Sequence, residues 1–467
     1  MSRRAAGLLL LTFFFLAPLH CRKADGGTDD PVAREAEDAL VAYLRIDTSN
    51  PPGNETTGAT FLRDLLAKNG IPARLVGDDP RRQGVYARLA APGSKEKALL
   101  LLSHIDVVPA DGRDWTQPPF GGVRSGGYIW GRGALDIKSL TIAQLMALVD
   151  LKRRGARLRR DVIFLATPDE ELGGVHGTRA LLEKHPELFT NVGFVLNEGG
   201  SNETAVDRVL FWGIEVQQKL PLWLRLTATG PAGHGAVPPG DGGAIAHLLR
   251  ALTKVEALEH PYRLDPSVAR AMTAASALRK DARGKSLRLL THEPLDVQAI
   301  ETELPPGYRT LLRDTVAITH LTAGSAVNAV PRHAVAELDV RLLPNSTPDD
   351  MLASVRKAVG HDAEVEVLLS SNPVPDSPAS GELFDALTRT LHAAARRAAV
   401  APIISAGTTD SRYFRARGIP SYGFSPFMLN YYDADGVHGM DERIRAAFFG
   451  EGVGVMRGVV REVCEKR

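Results

Sequence analysis

The chain has 467 residues, of which 44% are hydrophobic and 24% charged, and its formal charge is +1. That length exceeds what one ordinary core accommodates, so two domains are expected. The balanced charge excludes the broad basic field of a nucleic-acid or anionic-membrane binder, and having only two cysteines, Cys21 and Cys464, excludes a disulfide framework.

The N-terminus, MSRRAAGLLLLTFFFLAPLHC, sets Arg3 and Arg4 before an apolar run from Leu8 to Ala17. The run has signal-peptide length and is too short to span a bilayer comfortably. Residues 1–29 therefore read as an export leader followed by a polar linker. The expected location is periplasmic, secreted or lipid-anchored. Cys21 stands where a lipoprotein cysteine would and is the candidate lipid anchor, although Pro18, Leu19 and His20 are not the small residues such a cleavage site favours.

From Asp30 the texture is α/β. DDPVAREAEDALVAYLRI carries acidic residues at its start and apolar residues three and four apart, which predicts a helix. NPPGNE reads as a loop and TGATFLRDLLAKNG as a helix ending at Gly70. Strands are predicted at Val85–Leu89 and Ala98–Leu102, and a helix over LTIAQLMALVDLKRRG, closed by Gly155. DVIFLATPDEE and NVGFVLNEGG read as buried strands running into loops. Short apolar strands alternating with helices imply a sheet covered on both faces. Near Lys219 the pattern changes: LPLWLRLTATG alternates as a half-exposed antiparallel strand does. AIAHLLRALTKVEAL, RTLLRDTVAITHLTAG and MLASVRKAVG read as helices and AVNAVPRHAVAELDVRLLP as a strand, giving a separate α+β unit. The division is 30–217, an inserted unit 218–345, and 346–467, with the last boundary falling anywhere in 346–380.

Chemistry-bearing residues recur after the strands. The run LLLLSHIDVVPAD ends on His104 and Asp106, two apart and so on one strand face. A plain polar pair fits, and so does a metal-bound imidazole held by a carboxylate. WGRGALDIKS places Asp136 before a helix, TPDEELGG places Glu170 and Glu171 after a strand, and VLNEGG does the same for Glu198. DGVHGMDE places His438 in a loop. Sites in open α/β sheets lie at the carboxyl ends of strands, and these groups fit that rule. Adjacent residues on a regular strand point to opposite faces, so Glu170 and Glu171 can share a site only in a turn.

These motifs, together with GPAGHGAVPP, SAVNAVP, DVRLLP and GTTDSR, resemble the dinuclear zinc hydrolases that include succinyl-diaminopimelate desuccinylase, acetylornithine deacetylase, aminoacylase and glutamate carboxypeptidase. The branch with carboxypeptidase S and N-acyl-amino-acid hydrolases is the most similar. The resemblance runs from Asp47 to His438. It implies an α/β fold: a zinc-exopeptidase-like three-layer catalytic domain with an inserted α+β lid of the dimerisation type. It implies two Zn²⁺ per chain, with Co²⁺ or Mn²⁺ as alternatives. His104 and Glu198 would hold one ion, Glu171 and His438 the other, and Asp136 would bridge them. Asp106 would orient His104. Glu170 would be the general base for a metal-bridged water. His234 would bind the oxyanion, often across a dimer interface, and Asn328, Arg341, Gly407 and Thr408 would bind substrate, Arg341 by forking onto a carboxylate. Trp212, Trp223, Phe424 and Phe427 are either pocket walls or plain core.

The implied activity is hydrolysis of an amide bond in a small peptide or N-acyl amino acid with a free carboxylate. A narrow succinyl or acetyl deacylase and an inactive binding lipoprotein on the same fold are the alternatives. The chain is expected to work as a monomer or homodimer without nucleic acid. The long segment between Ala257 and Tyr308 suggests a monomer that supplies His234 to its own site.

Overall fold

A computed structural model describes residues 30–205, 208–429 and 436–466. The leader and Cys21 lie outside the described residues. The first helix, Pro31–Leu44, starts where Asp30 accepts from the Val32 amide at 2.9 Å and proline fills the first turn.

Among the described residues the main sheet has nine strands. Across it they run Ala73–Val76, Gly84–Leu89, Val162–Thr167, Ala98–His104, Val192–Asn197, Ser421–Gly423, Arg208–Gln218 and Ala399–Ser405, with Ser201–Ala205 paired to Arg208–Gln218. The central pairs are parallel, and Gly84–Leu89 joins them antiparallel. Alternation builds two cores from one strand. Leu99 and Leu101 face the helices Pro31–Leu44, Lys138–Arg153 and Ala446–Cys464, while Leu100 and Leu102 face Leu181, Phe189 and Phe414 on the other side. The result is three layers. The Lys138–Arg153 helix is buried from Lys138 through Leu151, as a helix enclosed between sheet and outer helices must be.

The lid is a four-stranded antiparallel sheet in the order Thr315–Ala323, His333–Leu342, Leu220–Thr229, Glu364–Ser370. Leu222, Leu224 and Leu226 pack on the helices Gly243–Glu256 and Pro348–Val359. On the opposite face Trp223 lies across from Asp339 and Arg225 across from Glu337. One expectation needs correction. The run 309–324 is not a helix: beyond a short turn at Thr310–Leu312 it is the strand Thr315–Ala323, whose β-branched residues pair along His333–Leu342. The lid elements also continue past residue 345 to Ser370, within the 346–380 window.

The segment between Ala257 and Arg313 does not belong to the lid core. Its helices, Pro266–Ala277, Ala282–Arg288, Val297–Glu303 and Pro306–Arg309, leave the lid and pack on the main sheet, joining Val268, Met272 and Leu312 to Phe211, Ile403 and Ile404. This excursion covers the edge strand Ala399–Ser405.

Four chain crossings between lid and main unit meet in one seam. Lys219 Nζ donates to the carbonyls of Thr310 and Arg313 and to Thr315 Oγ1, at 3.0–3.2 Å. The Arg263 amide donates to Leu312 O at 2.7 Å, and the Ser371 amide to Pro221 O at 3.2 Å. Gln217 Nε2 reaches Val374 O at 2.7 Å.

Candidate active site

The parallel strands deliver their last residues to one edge of the sheet. His104 ends its strand, Glu198 follows the strand ending at Asn197, and Glu170 follows the strand ending at Thr167. Asp136 comes from the loop before the Lys138–Arg153 helix. His104 Nε2 lies 3.0 Å from Asp136 Oδ1, 3.6 Å from Glu198 Oε1 and 3.9 Å from Glu170 Oε2. On the other side His438 Nε2 lies 3.2 Å from Asp136 Oδ2 and 3.1 Å from Glu171 Oε2. Asp136 therefore turns one oxygen to each imidazole. All six residues named from the sequence for metal and base roles converge.

The turn that lets Glu170 and Glu171 both enter is a short helical turn, Glu170–Leu172, preceded by Asp169 at φ +73°. Asp tolerates that left-handed conformation better than most residues. Its carboxylate accepts from the His176 amide at 2.7 Å and pairs with Arg82 at 2.5 Å.

Asp106 does its holding differently from expectation. His104 Nδ1 donates at 2.9 Å to the main-chain carbonyl of Asp106, while the carboxylate is 3.7 Å away. That carboxylate instead accepts from the Glu170 amide at 3.1 Å, the Glu171 amide at 3.0 Å and Asn50 Nδ2 at 3.0 Å. It clamps the acidic turn.

A further clamp went unnoticed in the sequence. Glu442, fully buried, accepts from the amides of Gly133, Leu135 and Asp136 at 2.7–3.0 Å and pairs with Arg132 at 2.7 Å. Arg132 in turn donates to Gly439 O at 2.9 Å. The loops carrying Asp136 and His438 are thus tied to each other. Glu442 lies in the same DGVHGMDE motif as His438, but nothing in its spacing names its targets.

The electrostatics are those of crowded anions. Burial pushes the Glu170 and Glu198 carboxyls well above the usual range, and burial with the neighbouring Asp136 raises Glu171. Burial would also raise Asp136, but His104 and His438 hold it below the usual carboxylate range. Hydrogen bonds to Asp136 and Glu171 push His438 up to about 10. Burial opposes charge on His104, yet Glu198, Asp136 and Glu170 hold it well above the imidazole range. Glu171 Oε1 is buried with no hydrogen-bond partner. Two overlapping triads, His104–Asp136–Glu171 and His104–Glu170–Glu198, bring their donor atoms within 4.8 Å of one another. Buried carboxylates at this density are costly without a cation, and mixed imidazole and carboxylate donors suit a divalent one. The residues fit a metal.

A cavity of about 510 Å³ opens over this cluster. Gly407, Thr408 and Arg341 line it, as does Trp223. Arg341 is not free to fork: its Nε and Nη2 already meet Asp339 at 2.7 and 3.0 Å. Thr408 Oγ1 donates to Lys219 O at 2.8 Å. His234 and Asn328 are not brought to the cavity of their own chain. They sit together on the exposed tip of the lid, where the Gly235 amide donates to Asn328 O at 2.8 Å and His234 pairs across from Ala329. The excursion, packed on the main sheet, does nothing to carry His234 inward. Trp212, Phe424 and Phe427 belong to the main core. Phe211, one residue before Trp212 and so on the other sheet face, lines the cavity instead.

The description "Peptidase family M20/M25/M40" matches residues 100–462. The chain is 32% identical over 371 residues to the N-fatty-acyl-amino acid synthase/hydrolase PM20D1 of Xenopus tropicalis, covering 77% of this chain and 72% of that protein. It is 30% identical over 439 residues to aminoacylase-1 of Sus scrofa, covering 90% and 94%. Among solved structures, the M20 family metallo-carboxypeptidase Sso-CP2 of Sulfolobus solfataricus superposes with a TM-score of 0.71 at 20% identity, over 92% of this chain and 99% of that one. The di-peptidase Dug1p of Saccharomyces cerevisiae also gives 0.71, at 14% identity, over 92% and 96%.

Proposed function

We propose, from the premise that the chain belongs to peptidase family M20/M25/M40, that it is an exported hydrolase cleaving the amide bond of an N-acyl amino acid or small peptide with a free carboxylate. Relatives named as an N-fatty-acyl-amino acid synthase/hydrolase and an aminoacylase support that substrate class. The observation that carries the reading is Asp136, with one oxygen toward His104 and the other toward His438, beside Glu170 in one cavity. In this reading His104, Asp136 and Glu198 would hold one Zn²⁺, and Asp136, Glu171 and His438 would hold a second. Bound metal supplies Lewis acidity, acidifying water and polarising a carbonyl oxygen.

Glu170 accepts the proton of the attacking water. Its raised carboxyl pKa, from burial, suits a group that then returns the proton to the leaving amine. Asp106 keeps the Glu170 turn in register. Gly407 and Thr408 form the polar wall that meets the substrate carboxylate. His234 acts in a partner's site rather than its own. That assignment is supported by its exposed position and by Ile318 and Leu321, 38% and 57% exposed on the edge strand Thr315–Ala323, a strand open for pairing with a second copy.

The test is turnover of dipeptides and N-acyl amino acids by the mature protein with Zn²⁺, with chelator, and as Glu170→Gln. Metal-dependent turnover that falls about 10²- to 10⁴-fold in the variant, with metal content retained, is expected. Absence of turnover on every substrate with metal bound would replace the hydrolase reading with a binding role.

A further inference from the structure

The helical excursion builds more than a cover for the sheet edge. Where its core reaches the active-site cavity, the lining is Phe211, Met272, Tyr308, Leu311, Ile403 and Ile404. Three of these come from the excursion and three from the strands under it. None is charged, and the same cavity holds the carboxylates and His438. Its volume, about 510 Å³, lies in the range that takes a drug-sized ligand. A site that needed only to hold a metal and a carboxylate would have no use for this apolar stretch.

Met272 is buried, and Tyr308 and Leu311 are half-buried with part of their surface open to the cavity. Their backbones are fixed from two directions. The Pro266–Ala277 helix packs on the Ala399–Ser405 strand, and Lys219 holds Thr310 and Arg313 on either side of Leu311. A wall held this way keeps its shape when the cavity fills.

We infer that this excursion is the specificity wall of the enzyme: Met272, Tyr308 and Leu311 seat a large apolar group attached to the scissile amide. The inference rests on the amide-hydrolase reading above. The group is either a long acyl chain or the apolar side chain of the amino acid, and the two are separable by experiment.

The metal-loaded enzyme is assayed on N-acylglycines from acetyl to dodecanoyl, and on N-acetyl amino acids from alanine to tryptophan. In the series that uses the wall, kcat/KM rises about fourfold per buried methylene until the wall is filled. Met272→Ser and Leu311→Ser lower the large-to-small ratio in that series by about tenfold or more. Leu311→Trp shortens the largest group accepted. The series that responds identifies the group. Ratios that stay at the wild-type value in all three variants overturn the inference. Calorimetry on metal-loaded Glu170→Gln protein separates this from failure of the hydrolase reading. If wild type turns over nothing, yet N-dodecanoylglycine or N-acetyltryptophan binds more tightly than N-acetylglycine and loses that advantage with Leu311→Ser, the wall stands and the hydrolase reading falls. Equal affinity for all three ligands removes the wall.

Discussion

Asp106→Asn separates two ways in which one carboxylate can serve this site. The carboxylate accepts three N–H groups, from Glu170, Glu171 and Asn50. An asparagine offers one oxygen and one NH₂. With its oxygen kept toward Glu171 and Asn50, the NH₂ confronts the Glu170 amide, donor against donor. One charge-assisted hydrogen bond is lost, about 1.5–3 kcal/mol, and a buried N–H is left unpaired. The strain falls on Glu170, the general base of the proposed mechanism. A misplacement of about 1 Å there costs about 10²-fold in rate. The His104 ring is untouched, since it is held by the Asp106 main-chain carbonyl at 2.9 Å. The expected result is a kcat about 10²-fold lower, KM within about threefold, and full metal content by mass spectrometry of the reconstituted protein. Loss of metal with near-normal kcat in the fraction still loaded would refute the turn clamp and return Asp106 to the role of orienting His104.

Arg415 and Glu215 form a pair at 3.0 Å, their side chains 1% and 0% exposed, with Glu215 against the Gly199–Gly200 loop that follows Glu198. Arg415→Met strands that buried carboxylate and should cost about 3–5 kcal/mol in urea unfolding, much of it recovered by adding Glu215→Leu; a loss under about 1 kcal/mol contradicts the burial argument. Burial pushes the Lys219 ammonium down to about 7, below its unfolded value of about 10.4, so the folded state holds fewer protons than the unfolded one between those values and stability rises with pH across that window. Unfolding midpoints at intermediate points of the window should show wild type gaining on Lys219→Met as pH rises, and parallel profiles would exclude the effect. Mixed Glu170→Gln and His234→Ala subunits should recover activity that neither has alone, because a mixed dimer contains one complete site; no recovery, with dimers present by light scattering, would remove His234 from the partner's site.

The proposed ligand set was legible because each member sits in a short contiguous motif: His104 ends a strand, Glu171 and Glu198 come in the turns just after strands, and Asp136 and His438 lie in loops. The supporting clamps were not. Glu442 acts on main-chain amides 306 to 309 residues away, and a backbone N–H carries no residue signature. Asp106 does hold His104, but through its main-chain carbonyl, while its carboxylate holds the 170–171 turn; the two-residue spacing to His104 is visible in sequence and the fold-back of that turn is not. The Pro266–Ala277 helix shows an apolar face in its sequence, but a face does not say whether lid or main sheet will cover it. Phe211 and Trp212 differ only in strand parity, and that depends on which sheet face the cavity opens. The apolar residues of Thr315–Ala323 fit a helical spacing as well as an edge strand, and because the strand is exposed from Ala317 to Ala323 no alternating buried face marks it.

The seam at Lys219 gives the lid an unusual mechanical standing. A unit inserted once into a chain is joined by two peptide strands and can swing or be cut away. Here the backbone crosses four times, and Lys219, Arg263, Pro221 and Gln217 lace the crossings side by side. Lid and excursion therefore share one axle. Trp223 and Arg341 of the lid face the same cavity as Met272 and Leu311 of the excursion, so one seam sets the spacing of both walls. A cut in the exposed stretch His292–Pro294 would sever the chain and leave the seam's hydrogen bonds in place.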